Sequence, residues 1–112
     1  MEVSEEAYQL HAELCRTVGH PTRLRILDSL RGRERTVGEL ARELGVEQSN
    51  LSQHLSVMRR VGLVARHHRS AHAYYALRDP AFLEPFDAMR RLLIRTLSER
   101  RRSVLSVVVG GR

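Results

Sequence analysis

Residues Thr36 to Gly62 read TVGELARELGVEQSNLSQHLSVMRRVG, two short amphipathic helices joined by a tight turn. Thr36 followed by Glu39 has the form of a capping box, with the hydroxyl taking one orphan amide and the carboxylate another. Leu40, Ala41 and Leu44 make one apolar face, and Gly45 supplies the left-handed residue that ends the helix. A second helix begins near Glu47, with Leu51, Leu55 and Met58 as its buried side. At about 100° per residue, Ser49, Ser52, Gln53, Ser56 and Arg60 gather on the opposite side and face water.

The chemistry of that polar stripe separates two readings. A helix face that only meets solvent is usually dense in Glu, Lys and Arg, the better helix formers. Ser, Ser, Gln and Ser are short uncharged donors and acceptors, suited to hydrogen bonding with base edges in a major groove. Helix, Gly-containing turn and helix with a small polar face is the helix-turn-helix pattern; the plainer alternative is a helical hairpin in a bundle.

Length and composition bound the rest. The 112 residues are enough for one domain with a modest core, and without Trp that core is mostly aliphatic. Small aliphatic cores often gain stability by oligomerising. A formal net charge of +6 favours a polyanionic partner. All 19 basic residues are Arg, whose forks bind phosphate bidentately, although coding bias also accounts for an absence of Lys. One cysteine excludes an internal disulfide framework and fits a reducing compartment. The acidic MEVSEE start lacks the basic and apolar regions of a signal peptide, and no apolar run reaches the roughly 18 residues of a membrane span. A cytoplasmic location with no membrane association is expected.

In chain order, Ser4 can cap a first helix running to about Val18, with Glu5 and Glu6 at its positive end. Val3, Ala7, Leu10, Leu14 and Val18 recur at spacings of three and four, a narrow seam of the kind that meets a partner helix. Pro21 opens a second helix to Arg31, with Leu24, Leu27 and Leu30 (and Ile26) facing inward, and Gly32 ends it. Arg33 to Arg35 then forms a polar link to the Thr36 cap. After Gly62, Leu63 to Leu77 loses the helical period: apolar ends bracket a polar middle, as in a β-hairpin with its tip near Arg69 to Ala71. Asp79-Pro80 starts another helical segment, and the main last helix is expected from about Glu84 to Arg101. Phe82, Phe86, Met89, Leu93 and Leu97 mark its apolar face; the tail SVLSVVVGGR extends it, packs across a dimer or frays. The expected fold is mainly α with a small β-hairpin wing, in the order α-α-α-α-β-β-α. A hairpin directly after the second helix of the motif is its winged variant.

With those elements in place, the sequence resembles the ArsR/SmtB family of small dimeric winged-helix repressors from about Glu13 to Pro80. The carriers are Gly19-His20-Pro21-Thr22-Arg23-Leu24-Arg25-Ile26-Leu27, Gly38-Glu39-Leu40-Ala41, Leu44-Gly45-Val46, Gln48-Ser49-Asn50-Leu51-Ser52-Gln53-His54-Leu55, Gly62-Leu63-Val64 and Tyr74-Tyr75-x-Leu77. The resemblance implies a homodimer built on the first helix (about 4–18) and the last (about 84–101). It would use Ala7, Leu10 and Leu14 with Phe86, Met89, Leu93 and Leu97. It also implies double-stranded DNA of dyad symmetry as the partner, and an effector that releases it. Gln48, Ser49, Ser52 and Gln53 match positions that such proteins turn to the major groove, three of them in the stripe already read. Thr36 and Val37 open the preceding helix, where a backbone N–H can meet phosphate. Arg66 and Arg69 on the wing are phosphate candidates. His54 has two readings, a donor to DNA or a packing residue beside Leu55.

The family's familiar sensing sites have no counterpart here. Where its thiolate site begins the helix-turn-helix with Cys-x-Cys, this chain has Thr36-Val37-Gly38, and the last helix has Asp87 and Glu99 but no His. His11 and Cys15, four apart on the first helix, offer at most two ligands to a metal. Cys15 otherwise reads as a small hydrophobe in the seam. His67, His68 and His72 do not converge, because adjacent residues of a strand point to opposite faces. No cofactor is expected, the effector is open, and no phosphate loop, nucleophile elbow or paired metal-binding His motif suggests an enzyme. A second function class is a winged-helix protein-interaction module that uses the apolar tail Val104 to Val109.

Overall fold

The capping box organises the fold as its spacing implies. In the computed structural model, Thr36 Oγ1 accepts from the Glu39 amide at 3.1 Å and the Thr36 amide donates to Glu39 Oε1 at 2.9 Å. The structure describes the backbone of residues 2–110 and the side chains of residues 2–103. The chain divides into two compact units, Met1–Pro80 and Ala81–Arg112.

The first unit begins with α1 (Glu5–Val18), capped by the Ser4 hydroxyl on the Ala7 amide, and α2 (Pro21–Ser29). A short strand β1 (Arg35–Thr36) leads into α3 (Val37–Leu44), which ends at Gly45 with φ of 65°. After a short connection comes α4 (Gln48–Arg60), then β2 (Val64–Arg69) and β3 (His72–Leu77). The winged helix-turn-helix is therefore present, with one addition. β1 pairs with β3 through Arg35↔Tyr75 and Thr36↔Tyr74, so the expected hairpin is a three-stranded antiparallel sheet of order β1-β3-β2. Two residues are too few to display the period-two alternation by which a strand is recognised, and the Arg33–Arg35 link was read as irregular for that reason.

The core of this unit is aliphatic. Ile26, Leu27 and Leu30 from α2 meet Leu40 from α3, Leu51, Leu55 and Met58 from α4, and Leu63, Val64 and Tyr75 of the wing. Leu24, expected to face inward, is 37% exposed while Ile26 is fully buried. At 100° per residue, Leu24 lies about 110° from the mean direction of Ile26, Leu27 and Leu30, so the helix turns it toward solvent. α2 also stops at Ser29 instead of Arg31, its last turn closing through Leu30. In α1 the seam residues Ala7 and Leu10 are exposed and Leu14 half-buried, and the one fully buried side chain is Thr17. Thr17 meets its hydroxyl requirement by donating to the Glu13 carbonyl at 2.9 Å.

The hairpin turns through only Ser70 and Ala71, with Arg69 paired to His72. Ser70 has φ of 55°, a left-handed conformation that Gly takes without strain and Ser adopts less readily. A 3₁₀ turn, Pro80–Phe82, straddles the boundary, and the second unit holds α5, Leu83–Gly110. α5 runs nine residues past the expected end at Arg101, so the apolar tail continues the helix. The side chains of Val104 to Val109 lie outside the described residues. On α5, Met89, Leu92, Leu93, Ile94 and Leu97 are each between 49% and 57% exposed.

Leu55→Ala removes a side chain with no residual exposure from the centre of the motif. It should cost about 2–5 kcal/mol of unfolding free energy, read from urea melts by circular dichroism.

Candidate nucleic-acid interface

α4 owes its orientation to its buried side. Leu51, Leu55 and Met58 are each 0% exposed, which leaves the helix no freedom to roll. Opposite them, Gln48, Ser49, Gln53, Ser56 and Arg60 are exposed and Ser52 is half-buried at the flank. The row read from the sequence is therefore presented outward along one helix face. Ser49 Oγ donates to Glu47 Oε1 at 2.6 Å, a local bond at the helix start that orients the hydroxyl.

His54 is a packing residue, one of the two readings the sequence left open. Its Nδ1 accepts from Arg23 Nε at 3.1 Å, which leaves the proton of the neutral ring on Nε2. The same guanidinium donates through Nη1 to the Thr17 carbonyl at 3.2 Å. Arg23 on α2 thus ties the end of α1 to the middle of α4. The His54 ring lies 4.5 Å from that of His20, whose Nδ1 caps α2 by accepting from the Thr22 amide. Burial lowers the His54 pKa below 6.5, and neighbouring His20 and Arg23 lower it further. From the sequence, Arg23 and His20 have no role beyond carrying the resemblance. The available signal was a polar residue before Pro21, which marks a cap position.

A second polar cluster holds the start of the helix-turn-helix against α2. Glu43 on α3 accepts from Ser29 Oγ at 2.7 Å and pairs with Arg33 and Arg35. The Ser29 and Arg35 hydrogen bonds hold the Glu43 carboxyl below its usual pKa. The Thr36 backbone and hydroxyl do the same for Glu39. In this box the Thr36 amide is bonded to Glu39. The first-turn amides of Val37 and Gly38 have no carbonyl partner within the helix and keep the phosphate-donor role open.

On the wing, Arg66 is exposed and stands opposite Tyr75, while Arg69 pairs with Glu34 at 2.6 Å and lies 4.4 Å over the Tyr74 ring. Glu34 was not singled out from the sequence, because its partner is 35 positions away and the strand between them was unseen. His67 and His68 alternate in direction, opposite Tyr74 and Ala73. Among the described residues no group of three His, Cys, Asp or Glu side chains is placed to hold a metal. Cys15, expected to pack as a small hydrophobe, is exposed on α1 in the single chain. Among the described residues no helix is long and apolar enough to cross a membrane.

Comparison with known proteins places this geometry among regulators. The model of the bacterial regulatory protein arsR family matches residues 20–66, from the α2 cap into the first strand of the wing, β2. The chain is 44% identical over 98 residues to the uncharacterized HTH-type transcriptional regulator Rv0081 of Mycobacterium tuberculosis, covering 87% of this chain and 86% of that one. The crystal structure of Rv0081 superposes with a TM-score of 0.77 over 87% of this chain and 98% of that one. The transcriptional repressor BigR of Xylella fastidiosa is 36% identical with a TM-score of 0.59, over 65% and 72% of the two chains. The homodimeric winged helix-turn-helix DNA-binding domain Mb0332 of Mycobacterium bovis, 22% identical, shares the fold with a TM-score of 0.76 over 88% and 93%.

The stability of this unit should fall with acid in two pH windows. His54 takes up a proton more readily in the unfolded chain, so its contribution is full above pH 6.5 and lost as pH falls through the lowered folded value. Glu39 and Glu43, also lowered in the fold, follow the same sign below pH 4.5. Glu43→Gln should shrink the lower loss to the share that Glu39 supplies and leave the upper one, measured as urea midpoints across pH.

Proposed function

The chain belongs to the arsR family of bacterial regulatory proteins, and from that premise we propose that it is a homodimeric, sequence-specific transcriptional repressor. The observation that carries the reading is the outward row of Gln48, Ser49, Ser52, Gln53 and Ser56, backed by three fully buried side chains. A rigid helix presenting hydroxyls and amides is what direct readout of base edges requires. Arg60 at the end of the helix and Arg66 on the wing supply phosphate contacts, which position the protein without carrying sequence information. The net charge of +6 per chain favours approach to DNA from any direction.

Two copies are needed to read a site of dyad symmetry, with half-sites about one helical turn apart. The interface we assign uses Ala7, Leu10 and Leu14 of α1 with Phe86, Met89, Leu93 and Leu97 of α5. In support, Leu10, Met89, Leu93 and Leu97 are all about half exposed or more in the single chain, and apolar faces of this kind on a soluble protein mark interaction sites. Residues 1–112 act in this reading as one DNA-binding unit with dimerising helices at either end. The chemistry fits binding and release, with no catalytic step.

Selection of bound sequences from a random duplex pool tests partner class and symmetry together. A palindromic consensus is expected; enrichment of nothing above background would refute the reading. On that consensus, Ser52→Ala with Gln53→Ala should reduce discrimination over random duplex by about 1–3 kcal/mol per lost bidentate contact, leaving the salt dependence of binding unchanged. Unchanged discrimination would show that the row does not meet the bases. Leu10→Glu and Leu93→Glu, both on exposed faces, should leave each chain folded but shift sedimentation from dimer to monomer.

A further inference from the structure

The wing carries an arrangement that DNA binding alone does not call for. β3 is the central strand, with Thr36 of β1 and His67 of β2 both in register with Tyr74. Paired residues share a face of the sheet, and so do residues two apart on a strand. Tyr74, His67 and Arg69 therefore share one face, and Glu34, just before β1, meets Arg69 there. Arg69 leaves the outer strand β2, crosses the Tyr74 ring with its guanidinium 4.4 Å from the centroid, and ends on Glu34 at 2.6 Å, just before β1. One side chain thus reaches from β2 across Tyr74 of β3 to the residue before β1. The His67 ring approaches the other Glu34 oxygen at 3.9 Å.

A carboxylate and a phosphate engage a guanidinium in the same way, through charge-assisted N–H donors. Resting on the DNA-binding reading above, we propose that Glu34 is a specificity-determining positioning residue. It holds Arg69 in place of a DNA phosphate, so that the wing withholds this cation from duplex that does not fit. The pair is partly exposed, with side-chain exposures of 61% and 31%, and such a pair is weak enough to exchange. The Tyr74 ring adds a cation–π contact that favours the guanidinium staying over it. Random duplex then meets a wing whose Arg69 is spoken for, and its binding lacks one phosphate contact.

The experiment measures affinity for a random-sequence duplex as a function of salt, using the full chain and the variants E34Q, E34D, R69A and E34Q/R69A. With Glu34 neutralised, the log–log salt slope should steepen by about 0.9 per protomer, the signature of one added phosphate contact. Affinity at low salt should rise roughly threefold to fivefold, the scale of one exposed ion pair. E34D keeps the charge and should retain the wild-type slope. Because the effect runs through Arg69, E34Q/R69A should show no steeper slope than R69A alone. A slope unchanged in E34Q, or steepened equally without Arg69, overturns the proposal and leaves the DNA-binding reading intact. Failure of the wild-type chain to bind any duplex removes both.

Discussion

The complete burial of Leu51, Leu55 and Met58 is the constraint on which the functional surface depends. A helix has only one rotational freedom once its axis is placed, and three side chains on one face remove it. Rolling α4 by a single residue would turn its face by about 100°, exposing leucine and burying serine. Both costs would arise together, since apolar area would return to water and hydroxyls would lose their partners. Arg23 acts on the same helix from another side, holding the Nδ1 edge of His54 and the last turn of α1 with one guanidinium. The direction of the polar row is therefore a consequence of packing beneath it, and none of the row's own residues needs to contribute.

Local rules made the centre of the molecule legible. The Thr36–Glu39 box, the Gly45 stop and the i, i+4, i+7 burial of α4 each depend on a few neighbouring residues. Each is found as read. What escaped the sequence depends on partners far along the chain. β1 exists because β3 offers it an edge. Arg23 binds His54 across 31 positions, and Glu34 finds Arg69 only once the sheet has formed. Leu24 is a milder case: it is apolar and helical, but the face was drawn too wide. The extent of α5 was left open because a run of β-branched residues lowers helix propensity, and the helix continues through it.

Composition alone overstates the cationic surface. Arg31 pairs with Asp28, Arg33 and Arg35 with Glu43, and Arg69 with Glu34. These pairs orient elements: the Glu43 cluster joins α2 to α3, and the Glu34 pair closes the sheet. Arg60 and Arg66, by contrast, stand exposed at the end of the reading helix and on the wing. The formal charge of +6 is thus divided between cations that hold the scaffold and cations that face outward. Its distribution says more about binding than its total.

The two-residue tip of the hairpin has a consequence for how the wing can change length. Its register pairs Arg69 with His72 across Ser70 and Ala71. Inserting or deleting one residue in β2 would slide that strand against its neighbour and send every following side chain to the opposite side. Arg66 and His68 would then occupy the face now held by His67 and Arg69. Insertions of two residues in each strand lengthen the ribbon and return every side chain to its own face. Lineages of this chain should therefore tolerate longer or shorter wings in even steps and lose the clamp across Tyr74 in odd ones.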